Sequence, residues 1–342
     1  MFSRRIRRLV AGSASAAVAA SLFVVALPFS SSVEAAGPSC ADAITTQPTG
    51  PATVGAAWSQ FGRVLVVGSG AYAGCSLYFL TSDRVHALSG APFGCGATSP
   101  LGPPCDTVLW PALLTNGAPI AGAGVNPSLL GTVKRTDLPG LSSASQVTYA
   151  GQPLYRFFLD EVPGETEGAN LFDPVTSPTG IWYLVQPSRG NPAPGRARLV
   201  VENASVGAAG PHKTVLGAVM NNDFSLFANA SFPVYTLGPN ENEQGNSDGD
   251  GAACHARCAL IWPPVLTSGW PQAGAGVDQG ALGIIRRADG THQVTYNGEP
   301  LYLFIKDAYI GGPVDFPFAS PEINGAGATT PWGVFDTISP SD

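Results

Sequence analysis

Charge is scarce in this chain: only 12% of its 342 residues are charged, and histidine is limited to His86, His212, His255 and His292. No H-E-x-x-H, G-x-S-x-G, phosphate-binding loop or dinucleotide fingerprint occurs, and Gly68-Ser-Gly70 lacks the spacing of a nucleophile elbow. A triad gathered from distant residues leaves no such mark. Still, nothing announces catalysis, and the chain reads as a non-enzyme. There is no stripe of lysine and arginine, and the net charge is −7. Such an acidic surface repels a phosphate backbone and argues against a nucleic-acid partner. Long helices are also disfavoured, because 42 glycines and 31 prolines break them and leave short strands between many turns. The expected class is all-β.

What the chain does have begins with a targeting signature. Arg4, Arg5, Arg7 and Arg8 precede an apolar stretch reaching about Phe29, and Val33-Glu34-Ala35 offers small residues at a cleavage site. Residues 1–35 read as a signal peptide. Gly12, Ser13, Ser15, Ser21 and Pro28 interrupt the apolar stretch, so no membrane span is expected after cleavage. Ser3-Arg4-Arg5 loosely resembles a twin-arginine signal, but Arg7 and Arg8 stand where that motif wants apolar residues. Gly37-Pro38-Ser39 before Cys40 lacks a lipobox. Without residues 1–35 the chain keeps 13 basic and 23 acidic residues, a net of −10. A secreted or cell-envelope location follows. There the six cysteines, Cys40, Cys75, Cys95, Cys105, Cys254 and Cys258, are read first as disulfides, for which 15 connectivities exist.

The chain repeats itself. Trp110-Pro111 and Trp262-Pro263 are each followed eleven residues later by Ala-Gly-Ala-Gly-Val, at 121–125 and 273–277. The match runs through Lys134-Arg135 and Arg286-Arg287 to Asp137 and Asp289, after which the first copy carries five extra residues. Gln146-Val-Thr-Tyr149, Gly151 and Pro153-Leu-Tyr155 then match Gln293-Val-Thr-Tyr296, Gly298 and Pro300-Leu-Tyr302. The expected organisation is an irregular arm over 36–57, one unit over 58–187, a turn-rich linker over 188–197 and a second unit over 198–340. Strands are expected at 63–67, 76–80, 131–134, 181–185, 214–219, 233–237, 283–286 and 333–337. A hairpin is expected at 293–304, turned by Asn297-Gly298 in type I′ geometry. Over 301–305, Tyr302 and Phe304 share one strand face while Leu301, Leu303 and Ile305 share the other, so both faces should be covered. Helix is confined to short stretches such as 254–260, ahead of Trp262.

Tyr155-Arg-Phe157-Phe-Leu-Asp160 and Tyr302-Leu-Phe304-Ile-Lys-Asp307 both fit Y-x-[FWY]-x-x-D, and Tyr78…Asp83 and Tyr235…Asn240 are weaker versions with leucine in the middle. With the Cys-Trp-Pro, Ala-Gly-Ala-Gly-Val and Gln-Val-Thr-Tyr blocks, this ordered set resembles the bacterial and archaeal secreted repeat of unknown function, also described as predicted lipoproteins with the Yx(FWY)xxD motif. The resemblance implies an extracytoplasmic protein of undetermined biochemical role. This chain departs from the pattern in lacking a lipobox and in placing nine residues between Cys95 and Cys105. Physically, Tyr and Phe two apart lie on one strand face, and the Asp falls where the strand ends and can accept N–H bonds of the next turn.

Several alternatives stand beside that scaffold reading. Cys254 and Cys258 with His255 between them offer soft and borderline donors suited to copper. Against this, the pair Cys95/Cys105 encloses no histidine and Ser145 replaces His292. The aligned pairs imply disulfides Cys95–Cys105 and Cys254–Cys258, leaving Cys40–Cys75 to pin the arm. Asp248 and Asp250 lie in a loop resembling the start of a calcium site, but Arg257 stands where that site wants glutamate. Trp110 and Trp262 read as core plugs rather than sugar platforms. Glu161, Glu165 and Glu167 near Asp160 read as turn residues, although a glycan-binding or hydrolytic module would use such acids. The leading reading is a non-catalytic protein of binding or structural type, facing an extracellular ligand or envelope component. A private role belongs to residues that differ between copies, His255, His292 and the acidic loop.

Overall fold

The computed structural model describes residues 38–83, 93–96, 103–138, 140–141, 144–173, 180–207, 210–221, 230–238, 254–255, 257–308 and 322–341. It is an all-β protein in which each repeat lays down the same series of small sheets. The first repeat opens with the antiparallel hairpin Thr53–Ser59 and Gly62–Val67, and the second with Arg198–Val206 and His212–Asn221. A two-residue strand adds in parallel to each, Ile120–Ala121 beside Thr53 and Val54, and Gln272–Ala273 beside Arg198 and Leu199. Thr115 and Thr267 then accept the amides of Ala52 and Ala197 at 3.0 and 3.1 Å.

The arm expected to be irregular and the linker expected to be turn-rich are both paired in part. The arm over 36–57 becomes strand at Thr53, and within the linker Pro192–Ala193 pairs with Leu184 and Val185. Their partners lie far off in sequence, so local turn chemistry does not reveal them.

Next in each copy comes a small meander. Leu130–Lys134, Ser145–Tyr149 and Gln152–Pro153 correspond to Leu282–Arg286, His292–Tyr296 and Glu299–Pro300. Its tight turn is the expected one, with Asn297 at φ 48° and Gly298 at 87°. Ala150 and Gly151 repeat it at 50° and 80°. A third sheet centres on Gly180–Val185 in the first repeat and Gly333–Thr337 in the second, which pair with Tyr78–Leu80 and Tyr235–Leu237 respectively.

Three strand expectations need correction. The run 233–237 divides at Val234: Ala230–Pro233 joins the hairpin sheet, while Tyr235–Leu237 joins Gly333–Thr337. Ser76 makes only an isolated bridge to Val66, and the strand proper is Tyr78–Leu80. Beyond Pro300 there is no ladder; Tyr302 bridges Tyr235 and Pro264, and Ile305–Ala308 is a 3₁₀ turn. The face assignment for that segment nevertheless holds. Leu301 and Leu303 enter one apolar cluster, while Tyr302 and Phe304 enter another. The helical turn of the second copy is Arg257–Ile261.

Those clusters define the architecture. Each repeat has a core of its own, around Trp110 and around Trp262. A larger cluster joins the copies: Val54, Leu65, Phe79, Val147 and Ile181 of the first pack with Leu199, Leu216, Val265, Val294 and Leu301 of the second. Phe172 meets Phe232 across that boundary edge-on at 4.8 Å. Burying each such side chain stabilises by about 1.5–3 kcal/mol, so Gly37–Asp342 holds together as one compact unit. Among the described residues no helix is long and apolar enough to cross a membrane.

Candidate functional site

The motif tyrosines and aspartates come together inside each repeat, in a pattern that one motif alone does not reveal. Tyr78 donates to Asp160 at 2.8 Å and Tyr155 donates to Asp83 at 2.7 Å, so each motif supplies the acid for the other's tyrosine. The second repeat shows Tyr235 donating to Asp307 at 2.6 Å; Asn240, the counterpart of Asp83, lies outside the described residues. Asp160 and Asp307 also accept the amides of Glu167 and Asn324, both at 2.9 Å. Burial pushes Asp160 up to about 8 and Asp307 up to about 7, against the lowering effect of those hydrogen bonds.

Around these pairs the aromatics stack. Trp110 lies on Trp182 at 3.7 Å and close to Phe157 at 4.1 Å; Trp262 lies on Phe335 at 3.8 Å and Phe304 at 4.2 Å. Trp110 and Trp262 are thus buried plugs, while the solvent-facing tryptophans are Trp58 and Trp270, 81% and 55% exposed. Glu165 accepts the amides of Glu161 and Val162, as a turn residue does.

Two features inside the shared blocks escaped the reading of the sequence. Arg135 and Arg287 are turned inward, each donating to a glutamine (Gln146, Gln293) and to a cysteine carbonyl, Cys95 at 2.9 Å and Cys254 at 2.8 Å. The glutamines pass the bonding on to Leu154 and Leu301. Recurrence of both Arg and Gln in the two copies, despite the five extra residues between them in the first, was the available signal. The second feature is a difference in helical turn. Trp110 follows Cys105 by five positions, whereas Trp262 follows Cys258 by four. The extra residue is absorbed by a π-turn, Cys105–Leu109, with the Trp110 amide bonded five residues back to Cys105, whereas Trp262 bonds four back to Cys258. Asp106, in that π-turn, reaches Arg135 at 2.8 Å. Burial pushes both Asp106 and Asp83 up to about 6, while Arg135 draws them down.

All six cysteines pair as the aligned copies imply: Cys40–Cys75, Cys95–Cys105 and Cys254–Cys258, with Cα separations of 5.5, 5.2 and 5.1 Å. In this state Cys254 and Cys258 present no thiolate beside His255. Asp248, Asp250 and His86 lie outside the described residues. His212 and His292 sit on exposed hairpin positions. Glu202 is a further buried acid, unsignalled in the sequence. It lies opposite Val215 and fills the space that a side chain at Gly217 would need, and burial raises it to about 7.

His255 lies elsewhere, in a cleft of about 550 Å³ between the repeats. Phe79, Gln152 and Tyr183 of the first copy line it, as do Arg189 and Asn191 of the connecting segment and Leu260, Leu266, Arg287 and Asp289 of the second. The connecting segment is fixed from both sides. Tyr149 donates to the carbonyl of Pro187, and Asn191 donates to the carbonyl of Asp289 at 2.9 Å. Gly290, at φ 85°, lets the guanidinium of Arg189 approach; a Cβ there would stand 3.2 Å from it. The buried Tyr183 borders both this cleft and a second cavity, of about 230 Å³, which Gln60, Phe61 and Arg196 also line. The larger cleft, more apolar than polar and with a few convergent polar groups, suits a small molecule.

Residues 283–312, in the second repeat, match the family described as a secreted repeat of unknown function. It is the family that the ordered motifs resemble. The matched segment carries the meander, its Asn-Gly turn and the Tyr302…Asp307 motif, and this family together with three disulfides fits an extracellular setting. No curated protein and no solved structure matches the chain.

Proposed function

We propose that this protein is a secreted, non-catalytic binding protein whose ligand site is the cleft between its repeats. One observation carries the reading: the cleft is walled by both copies and by the segment joining them, and it gathers His255, a residue peculiar to the second copy. The shared motif acids and aromatics support it from the other direction, since they are used inside the cores, where Tyr78, Tyr155, Tyr235 and their partner acids satisfy one another.

The reading is tested with the full exported chain and an Ala259→Trp variant, which fills the cleft. Each is incubated with a small-molecule extract of culture medium, ultrafiltered and eluted for mass spectrometry. The expected result is one or more compounds retained by the parent chain and lost by the variant. Equal retention by both, or none by either, would overturn the assignment.

A further inference from the structure

We infer that the cleft takes an organic carboxylate, its charge set against Arg287 and Arg189 and its apolar body against Phe79, Tyr183, Leu260 and Leu266. This deepens the reading of the cleft as the binding site and rests on it. What carries it is a difference between two equivalent arginines.

Arg135 and Arg287 are 0% and 6% exposed and hold the same glutamine and cysteine carbonyl. Arg135 is neutralised within the protein by Asp106 at 2.8 Å and Asp137 at 2.7 Å. Arg287 has no ion pair among the described residues. The α-turn of the second copy lacks the extra residue of the π-turn that carries Asp106. Asp289, the counterpart of Asp137, instead accepts the amide and hydroxyl of Thr291 at 2.8 and 2.6 Å. A guanidinium withdrawn from water without a counter-charge is costly. Arg287 lines the cleft, so a bound anion can supply what Asp106 and Asp137 supply in the first repeat.

The rest of the lining agrees with that charge. In a chain of net −7, the described lining of this cleft carries Arg189 and Arg287 against Asp289. Arg189 is exposed, free to meet an entering anion. The planar fork of arginine matches a planar carboxylate through paired N–H bonds, and the apolar wall asks for an organic body rather than a bare inorganic ion. Gln152, only 8% exposed, adds an acceptor: its Oε1 has no hydrogen-bond partner. A hydroxyl or N–H on the ligand would satisfy it.

The test compares 2-naphthoate with 2-naphthamide, the same ring system without the charge, by isothermal titration of the full exported chain at neutral pH. The acid is expected to bind at least about tenfold more tightly than the amide. Arg189→Gln, at an exposed position, should weaken the acid several-fold and leave the amide unchanged; Arg287→Lys, which keeps the charge and loses the fork, should do the same with the fold intact. Ala259→Trp should abolish both. Equal binding of acid and amide, both lost in Ala259→Trp, would overturn the carboxylate inference and leave the cleft as a binding site. Binding of the acid that survives Ala259→Trp, or no binding of either compound, would overturn both.

Discussion

The hydroxyl of Tyr155 reaches Asp83 at 2.7 Å while the main chain of Tyr155 exchanges both of its hydrogen bonds with Tyr78, at 2.9 Å each way. Tyr78 in turn holds Asp160. Two copies of the motif thus lock through backbone and side chain together, and the second repeat reproduces the backbone exchange between Tyr235 and Tyr302 at 2.8 and 2.9 Å. The motif is a reciprocal fastening, which is why it occurs twice per repeat.

Removing one half of that fastening should leave a buried acid short of a donor. Tyr78→Phe or Tyr235→Phe is expected to cost about 1–3 kcal/mol in chemical denaturation. The double variant Tyr78→Phe/Asp160→Leu should cost less than the two single changes added together. Strict additivity would show that the pair is not coupled.

Stability should depend on pH in an unusual direction. Burial raises Asp160 to about 8, Asp307 and Glu202 to about 7, and Asp83 and Asp106 to about 6. Unfolded carboxyls release their protons near pH 4. Between about pH 4 and 8 the folded chain therefore binds more protons than the unfolded one, and stability falls as pH rises. Melting temperatures are expected to be higher at about pH 5 than at about pH 8, and Asp307→Asn should flatten the slope. A melting temperature that climbs over this range would refute the assignment.

Two glycines are required by space alone. A Cβ on Gly168 would stand 2.6 Å from the ring of Trp110, and one on Gly325 the same distance from Trp262. Gly168→Ala and Gly325→Ala should each destabilise by about 1–3 kcal/mol. Gly269→Ala, with open space around it, serves as the control and should change little.

Thiol titration of the unreduced, denatured protein is expected to find no free cysteine. Two titratable thiols accompanied by bound copper would instead restore a metal role for Cys254, Cys258 and His255. Among the disulfides, Cys40–Cys75 spans 35 residues and Cys254–Cys258 spans 4. On loop entropy, removing the first should cost about 2 kcal/mol more than removing the second, as paired Cys→Ser variants would show.

The sequence made the duplication, the all-β class, the Asn297-Gly298 turn and the cysteine pairs legible, because each leaves a local or self-matching mark. It hid whatever depends on distant partners. Nothing in Lys134-Arg135 says that the arginine turns inward while the lysine stays out, since the outcome is set by Gln146 and the Cys95 carbonyl. Glu202 is buried because Gly217, on the facing strand, leaves it room. The cleft is invisible for the same reason. Gln152, Arg189 and Arg287 meet only because the two copies pack on one another, and no pattern within either copy encodes that.

The apolar cluster linking Val54, Phe79 and Ile181 to Leu199, Leu216 and Val294 means that the unit of duplication is not the unit of folding. One repeat made alone would present half of that surface to water. Each copy covers apolar surface that the other would expose, so a single-repeat chain is expected to bind an apolar dye such as ANS that the tandem protein does not bind. The two faces of that cluster are not copies of one another, since Ile181 is buried in it while Val334, at the equivalent position, is 45% exposed.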